Sequence, residues 1–147
     1  MVVRLTGTVA AELRRLAAEA YPHEGCGVLV GSAGAPGGDV AVLEATAGHN
    51  LRADRARDRY ELDPGDIVAA ERSARARGLD IVGFWHSHPD HPARPSQVDT
   101  SRAWPDYVYV IAATSPAGAG DVRAWVLGGE GEGFLEAQVS GDGGDGS

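Results

Sequence analysis

The segment Asp80–Trp85, DIVGFW, constrains the fold more than any other stretch. Beyond its first residue it is apolar on both alternating faces, the pattern of a central strand. Strand and helix signals alternate around it. Val2–Leu5 reads as a short opening strand. Thr8 caps a predicted helix whose apolar positions Val9, Leu13, Leu16 and Ala20 keep helical spacing until Pro22 stops it. Cys26–Val30 predicts a buried strand closed by Gly31, Gly34–Gly38 a turn, and Val40–Ala45 the next strand. Arg59–Leu62 predicts another short strand. Asp63-Pro64 opens a helix with a capping acid and a first-turn proline, and Gly78 ends it, with Arg72, Arg75 and Arg77 near its negative terminus. A Pro-rich loop is expected from Ser87 to Pro95, then a short helix from Ser96 to about Ala103. Tyr107–Ala113, Val122–Leu127 and Phe134–Val139 predict three later strands. The alternation indicates a mixed α/β (α+β) domain over residues 1–140, one sheet flanked by helices. Residues 141–147 carry no core-forming side chain and are expected to be a disordered tail.

Composition narrows the function. The chain has 147 residues, the length of one domain, and 43% apolar residues, enough for a sizeable core. Twenty-one acidic against 13 basic residues give a formal net charge of −8, which offers no electrostatic footprint for nucleic acid. No apolar run approaches the roughly 20 residues that span a bilayer. Arg4, Glu12, Arg14 and Arg15 stand where a signal peptide would keep an apolar block, so a cytoplasmic location is expected. One cysteine, Cys26, excludes an intramolecular disulfide framework. All 13 cations are Arg. That usage fits a genome that writes Arg for Lys, and it leaves the N-terminal amine as the only one able to carry an amide-linked modifier.

Chemistry gathers at the end of the central strand. His86 and His88 are two residues apart, and strand side chains repeat every second residue, so both imidazoles share a face. That suits two neutral nitrogens binding one cation, at roughly 2.0–2.1 Å for zinc. Asp99 follows eleven positions after His88, in the first turn of a helix that Ser96 caps. Pro89, Pro92 and Pro95 restrict the intervening loop, which can bring Asp99 back as a third ligand. Three protein ligands leave one tetrahedral position open for water, the pattern of a catalytic zinc. Each part has a plainer reading: H-x-H pairs are common at strand ends, Ser96 is a cap, and Asp99 is a capping acid worth about 1 kcal/mol. Their conjunction with a stiff loop favours the metal. A zinc hydrolase also needs a carboxylate beside the bound water. Glu24, between a terminated helix and a buried strand, is the leading candidate; its plainer reading is a solvated loop acid. Cys26 reads as a buried core thiol, and His23, His49 and His91 as solvated or loop histidines.

The sequence His86-Ser87-His88-Pro89 followed by Ser96-Gln97-Val98-Asp99 resembles the H-S-H-P…S-x-x-D signature of the JAMM (MPN+) metallopeptidases. Pro22-His23-Glu24-Gly25-Cys26-Gly27 resembles the glutamate-bearing segment of their short prokaryotic members. Asn50 followed by Arg59-Tyr60-Glu61-Leu62-Asp63-Pro64 is similar to a third stretch of that subgroup. The matches occur in order and span roughly residues 1–140. The resemblance implies an MPN-like domain, a curved mixed sheet flanked by helices. It implies that His86, His88 and Asp99 ligate Zn²⁺, with Glu24 as general base and Ser96 donating to the oxyanion. It implies hydrolysis of a peptide or isopeptide bond at the C-terminus of a small ubiquitin-like protein, in short members a sulfur carrier. Only Ser87–Pro95 and Leu51–Asp58 are long enough to serve as substrate loops, and Arg52, Arg55, Arg57 and Arg59 form either a patch for an acidic tail or a solvated loop.

Three other readings compete. A non-catalytic zinc-binding interaction domain of the same fold would not need the full set Glu24, His86, His88 and Asp99. A zinc deaminase requires H-x-E and P-C-x-x-C, which one cysteine cannot supply. A role in DNA processing fits poorly with the net charge.

Overall fold

A computed structural model describes residues 1–35, 38–52, 60–129 and 131–141. Seven strands and three helices follow in the order β1 (Val2–Leu5), α1 (Gly7–Ala20), β2 (Cys26–Ala33), β3 (Val40–Ala45), α2 (Pro64–Ala76), β4 (Asp80–Pro89), α3 (Gln97–Arg102), β5 (Val108–Ser115), β6 (Gly118–Leu127) and β7 (Phe134–Ser140). The expected mixed sheet forms, and its curvature carries it to closure. Strand order is β1-β3-β2-β4-β5-β6-β7, with β1 parallel to both β3 and β7. β4 pairs antiparallel with β2 and parallel with β5, and so is central, as its two-faced apolarity requires. No described helix is long and apolar enough to cross a membrane.

Two apolar clusters separate the faces. Val9, Leu13 and Ala17 of α1 pack with Val3, Leu29, Val42, Trp85 and Val110. Ala70 and Ala74 of α2 pack with Val28, Val30, Ile81 and Phe84 on the other face. Four expected details differ. The α1 cap is Thr6, whose side chain accepts from the Val9 N–H; Thr8 lies two residues too late, inside the helix. Arg59–Leu62 does not form a strand: Leu62 makes an isolated bridge to Asn50, and Arg59 lies outside the described residues. α2 stops at Ala76, with Gly78 in the left-handed region just beyond. The loop after Trp85 starts at Asp90, because β4 runs on through Pro89 as the parallel partner of β5. The tail expected at 141–147 lies outside the described residues apart from Gly141, as do Arg55 and Arg57.

A bulge in β4 sets which face the site occupies. Leu29 pairs with Gly83 but Val30 with Ile81, so Val82 is an extra residue opposite β2. Ile81 and Phe84 consequently lie on the α2 face, while Val82 and Trp85 lie on the α1 face. Period-two alternation from Phe84 then sends His86 and His88 to the α2 side. Gly83 fits here because a Cβ would collide with the Val108 carbonyl of β5.

Candidate metal centre

The end of β4 delivers two histidines and the short helix α3 delivers the third group. The Nε2 atoms of His86 and His88 are 3.2 Å apart, and Asp99 Oδ2 lies 3.2 Å from the first and 3.1 Å from the second. Three ligands roughly 2.0–2.1 Å from a tetrahedral zinc stand about 3.3–3.4 Å from one another, so this triangle is close to the face of such a site. Its donor chemistry fits as well. His88 Nδ1 lies 2.9 Å from the Pro92 carbonyl, a contact that places the proton on Nδ1 and leaves a lone pair on Nε2. Two imidazole lone pairs and a carboxylate oxygen facing one point are satisfied by a cation.

The loop owes its path to three anchors. Pro92 is held through His88, the Ala93 carbonyl accepts from the Trp125 indole N–H at 3.1 Å, and the Asp90 N–H donates to the Thr114 carbonyl at 2.7 Å. Ser96 and Asp99 then form a reciprocal capping box. The Asp99 N–H donates to Ser96 Oγ at 3.0 Å, and the Ser96 N–H donates to Asp99 Oδ2 at 2.8 Å. The oxygen bound in the cap is the one facing the histidines, so capping and ligation are one arrangement rather than rival explanations.

Burial shapes the electrostatics. Desolvation lowers His86 below an ordinary imidazole, against the pull of Asp99. Desolvation also acts on His88, but hydrogen bonds to Asp99 and the Pro92 carbonyl outweigh it and raise that group. For Asp99, burial pushes upward and is overcome by its polar contacts with His86 and His88, leaving its carboxyl well below the usual range.

Glu24 is buried and offers a carboxylate oxygen within 4.8 Å of the ligand nitrogens of His86 and His88. Its position comes from both neighbours in space. The Gly25 N–H donates to Ser87 Oγ at 2.8 Å, the Ser87 N–H donates to the Gly25 carbonyl at 3.0 Å, and Asn50 Nδ2 donates to the Glu24 carbonyl at 3.1 Å. The tight segment requires glycine: a Cβ on Gly25 would stand 2.9 Å from the Ala20 Cβ and 3.2 Å from the Trp85 ring. Cys26 is buried beside this segment; burial, then the charges of Asp66 and Glu24, push its thiol up to about 12. It is the core thiol expected. His49 is exposed and bound to Asp66, with Nδ1 at 3.0 Å from Oδ2, next to the capping Asp63.

Three contributors carry no signal that spacing could detect. Ser87 and Asn50 hold the Glu24 segment, and Tyr60 stacks on His86 with ring centroids 4.5 Å apart. Tyr60 also borders a groove of about 680 Å³ whose wall includes Leu62, Ile67, Phe84, Trp104 and Tyr109.

Residues 7–128 match the family described as prokaryotic homologs of the JAB domain. The chain belongs to that family. It is 37% identical over 136 residues to a desampylase of Haloferax volcanii, covering 90% of this chain and 88% of that protein. A 68-residue stretch is 35% identical to a Thermus thermophilus protein named "Probable TtuB-protein conjugate cleaving protease", covering 46% of this chain and 43% of the relative. A solution structure of a Desulfitobacterium hafniense protein superposes with a TM-score of 0.81 at 27% identity, covering 97% of this chain and 93% of that one. The JAB-family chain is therefore a hydrolase of the protease type, in a family that is in general metal-dependent, and its described residues assemble a metal-ligand set.

Proposed function

We propose that this chain is a zinc isopeptidase that cleaves conjugates at the C-terminus of a small ubiquitin-like protein of the sulfur-carrier type, in the cytoplasm. The observation that carries the reading is the convergence of His86, His88 and Asp99 on one point, with the Glu24 carboxylate beside it. The names of the Haloferax and Thermus relatives support the substrate class.

His86, His88 and Asp99 would hold the zinc. A zinc ion held there would supply Lewis-acid chemistry, lowering the pKa of a water toward about 7 and polarising the scissile carbonyl. Glu24 takes the proton of the attacking water and passes it to the leaving nitrogen. Ser96 Oγ uses a lone pair to accept the Asp99 N–H, which leaves its own proton free to donate to the developing oxyanion. The groove beside Tyr60 offers an extended tail an apolar bed next to the ligands.

The test is direct. Zinc-loaded protein is incubated with small carriers bearing C-terminal extensions or conjugated to a second protein, and product masses are measured. Release of the intact carrier is expected, and the Glu24→Gln variant should release none. Cleavage of a general peptide library with every carrier left intact overturns the substrate assignment.

A further inference from the structure

A histidine that binds a metal through one ring nitrogen is normally oriented by a hydrogen bond at the other. His88 follows this rule through the Pro92 carbonyl. His86 does not. Its Nδ1 is fully buried and has no hydrogen-bond partner among the described residues. No hydrogen bond at Nδ1 therefore helps to set the rotation of the ring about its Cβ–Cγ bond, although the ring is 1% exposed and must hold Nε2 within a few tenths of an ångström of its place. What lies against it is the Tyr60 ring, nearly parallel at an interplanar angle of 22° with centroids 4.5 Å apart. The His88 ring is tilted by 57° to the His86 ring at 4.9 Å, with its Nε2 3.2 Å from that of His86.

Tyr60 is itself tied at both ends of the site. Arg102, the last residue of α3, donates from Nη1 to the Tyr60 carbonyl at 2.8 Å. The next residue, Glu61, donates its N–H to Asn50 Oδ1 at 3.0 Å and accepts the Leu51 N–H at 2.8 Å, and Asn50 holds the Glu24 carbonyl. The backbone at Tyr60 and Glu61 is thus clamped between the helix that carries Asp99 and the segment that carries Glu24. Burial, followed by the charge of Asp99, drives the Tyr60 phenol far above the usual range, so the group beside the ligands stays neutral.

We infer that Tyr60 is the positioning residue of the metal centre, a flat ring that fixes the plane of His86 by stacking, in place of the missing hydrogen bond at Nδ1. This rests on the metal reading proposed above. It assigns the work to the ring face and none to the hydroxyl, and it places the effect in metal affinity before any effect on turnover.

The test compares Tyr60→Phe with Tyr60→Leu, which keeps an apolar side chain without a plane. Zinc affinity is measured by chelator competition, and the ligand field by the visible spectrum of the Co²⁺-substituted protein. Apo-protein melting is followed alongside, since lost packing alone lowers stability without altering either metal readout. Wild type and Tyr60→Phe should bind zinc alike with the same Co²⁺ bands. Tyr60→Leu should bind roughly 10–100-fold more weakly, with shifted bands. Two results overturn the inference: zinc affinity of Tyr60→Leu within about twofold of wild type, or a loss in Tyr60→Phe as large as in Tyr60→Leu. Absence of zinc binding by the wild type would instead overturn the metal reading itself, so the two failures are distinguishable. If Tyr60→Leu does not fold, Tyr60→His keeps a flat ring and should retain the Co²⁺ bands; their loss in a folded Tyr60→His refutes the stacking role.

Discussion

Ser87 sits between His86 and His88 yet points to the opposite face, and Ser87→Ala tests how Glu24 is held. The residue is fully buried, and its Oγ accepts the Gly25 N–H at 2.8 Å. Alanine removes that acceptor and little volume. The Gly25 N–H is then left without its partner, at a cost of about 1–3 kcal/mol. The backbone bond from the Ser87 N–H to the Gly25 carbonyl survives, so β4 stays paired with β2 and the histidines keep their register. With a urea m-value of about 1–3 kcal/mol/M, a loss near 2 kcal/mol lowers the denaturation midpoint by roughly 1 M with m unchanged. Gly25 follows Glu24 directly, so freedom gained there reaches the carboxylate. A misplacement of about 1 Å can reduce turnover by about 100-fold, and kcat should fall by roughly 10–100-fold. Zinc affinity should stay within about twofold of wild type. Urea titration, chelator competition and kcat on one carrier substrate measure the three quantities. A variant with unchanged midpoint and kcat within about twofold refutes the reasoning, as does one that loses zinc while keeping the turnover of its loaded fraction.

Three further outcomes follow from the same geometry. Glu24→Gln should keep zinc by elemental analysis and lose about 10²–10⁴-fold in turnover, the size of a general acid–base contribution; a fully active variant removes Glu24 from the mechanism. Zinc at 100 times its Kd should stabilise the wild type by about 2.7 kcal/mol. Chelation should abolish that increment, His88→Ala should never show it, and an equal increment in His88→Ala takes His88 out of the ligand set. With its pKa pushed up to about 12, chiefly by burial, the Cys26 thiol should resist a disulfide reagent at pH 8 in the native protein and react at once in denaturant; rapid native labelling would contradict its burial.

Much of the site was legible because its signals are local. Period-two spacing puts His86 and His88 on one face, and the S-x-x-D cap gives both the helix start and the direction of Asp99. Glu24 was legible as a candidate from its place between a terminated helix and a buried strand, but what holds it was not, since its placement depends on Ser87 and Asn50, residues 63 and 26 positions away from it in the chain. Tyr60 shares no spacing with His86, and only the resemblance of the stretch Arg59–Pro64 draws attention to it. The length of β4 was missed for a related reason. Pro89 reads as a loop residue because proline lacks an N–H, but at the end of a strand that loss is tolerated, and pairing with β5 carries the strand through it.

The face of the sheet was the hardest property to read. Alternation says that the histidines point the same way, not which way, and one residue of register reverses the answer. From Ile81, counting by twos would group it with Gly83, Trp85 and Ser87, and would place His86 and His88 with Val82 under α1. Val82 bulges instead, which returns Phe84 to the α2 side. Next to the bulge, β5 lies so close to Gly83 that any side chain there would meet the Val108 carbonyl. Were the strand regular, the histidines would face α1, across the sheet from Tyr60 and the α2-side cluster. The bulge at Val82 therefore decides which face carries the proposed metal centre.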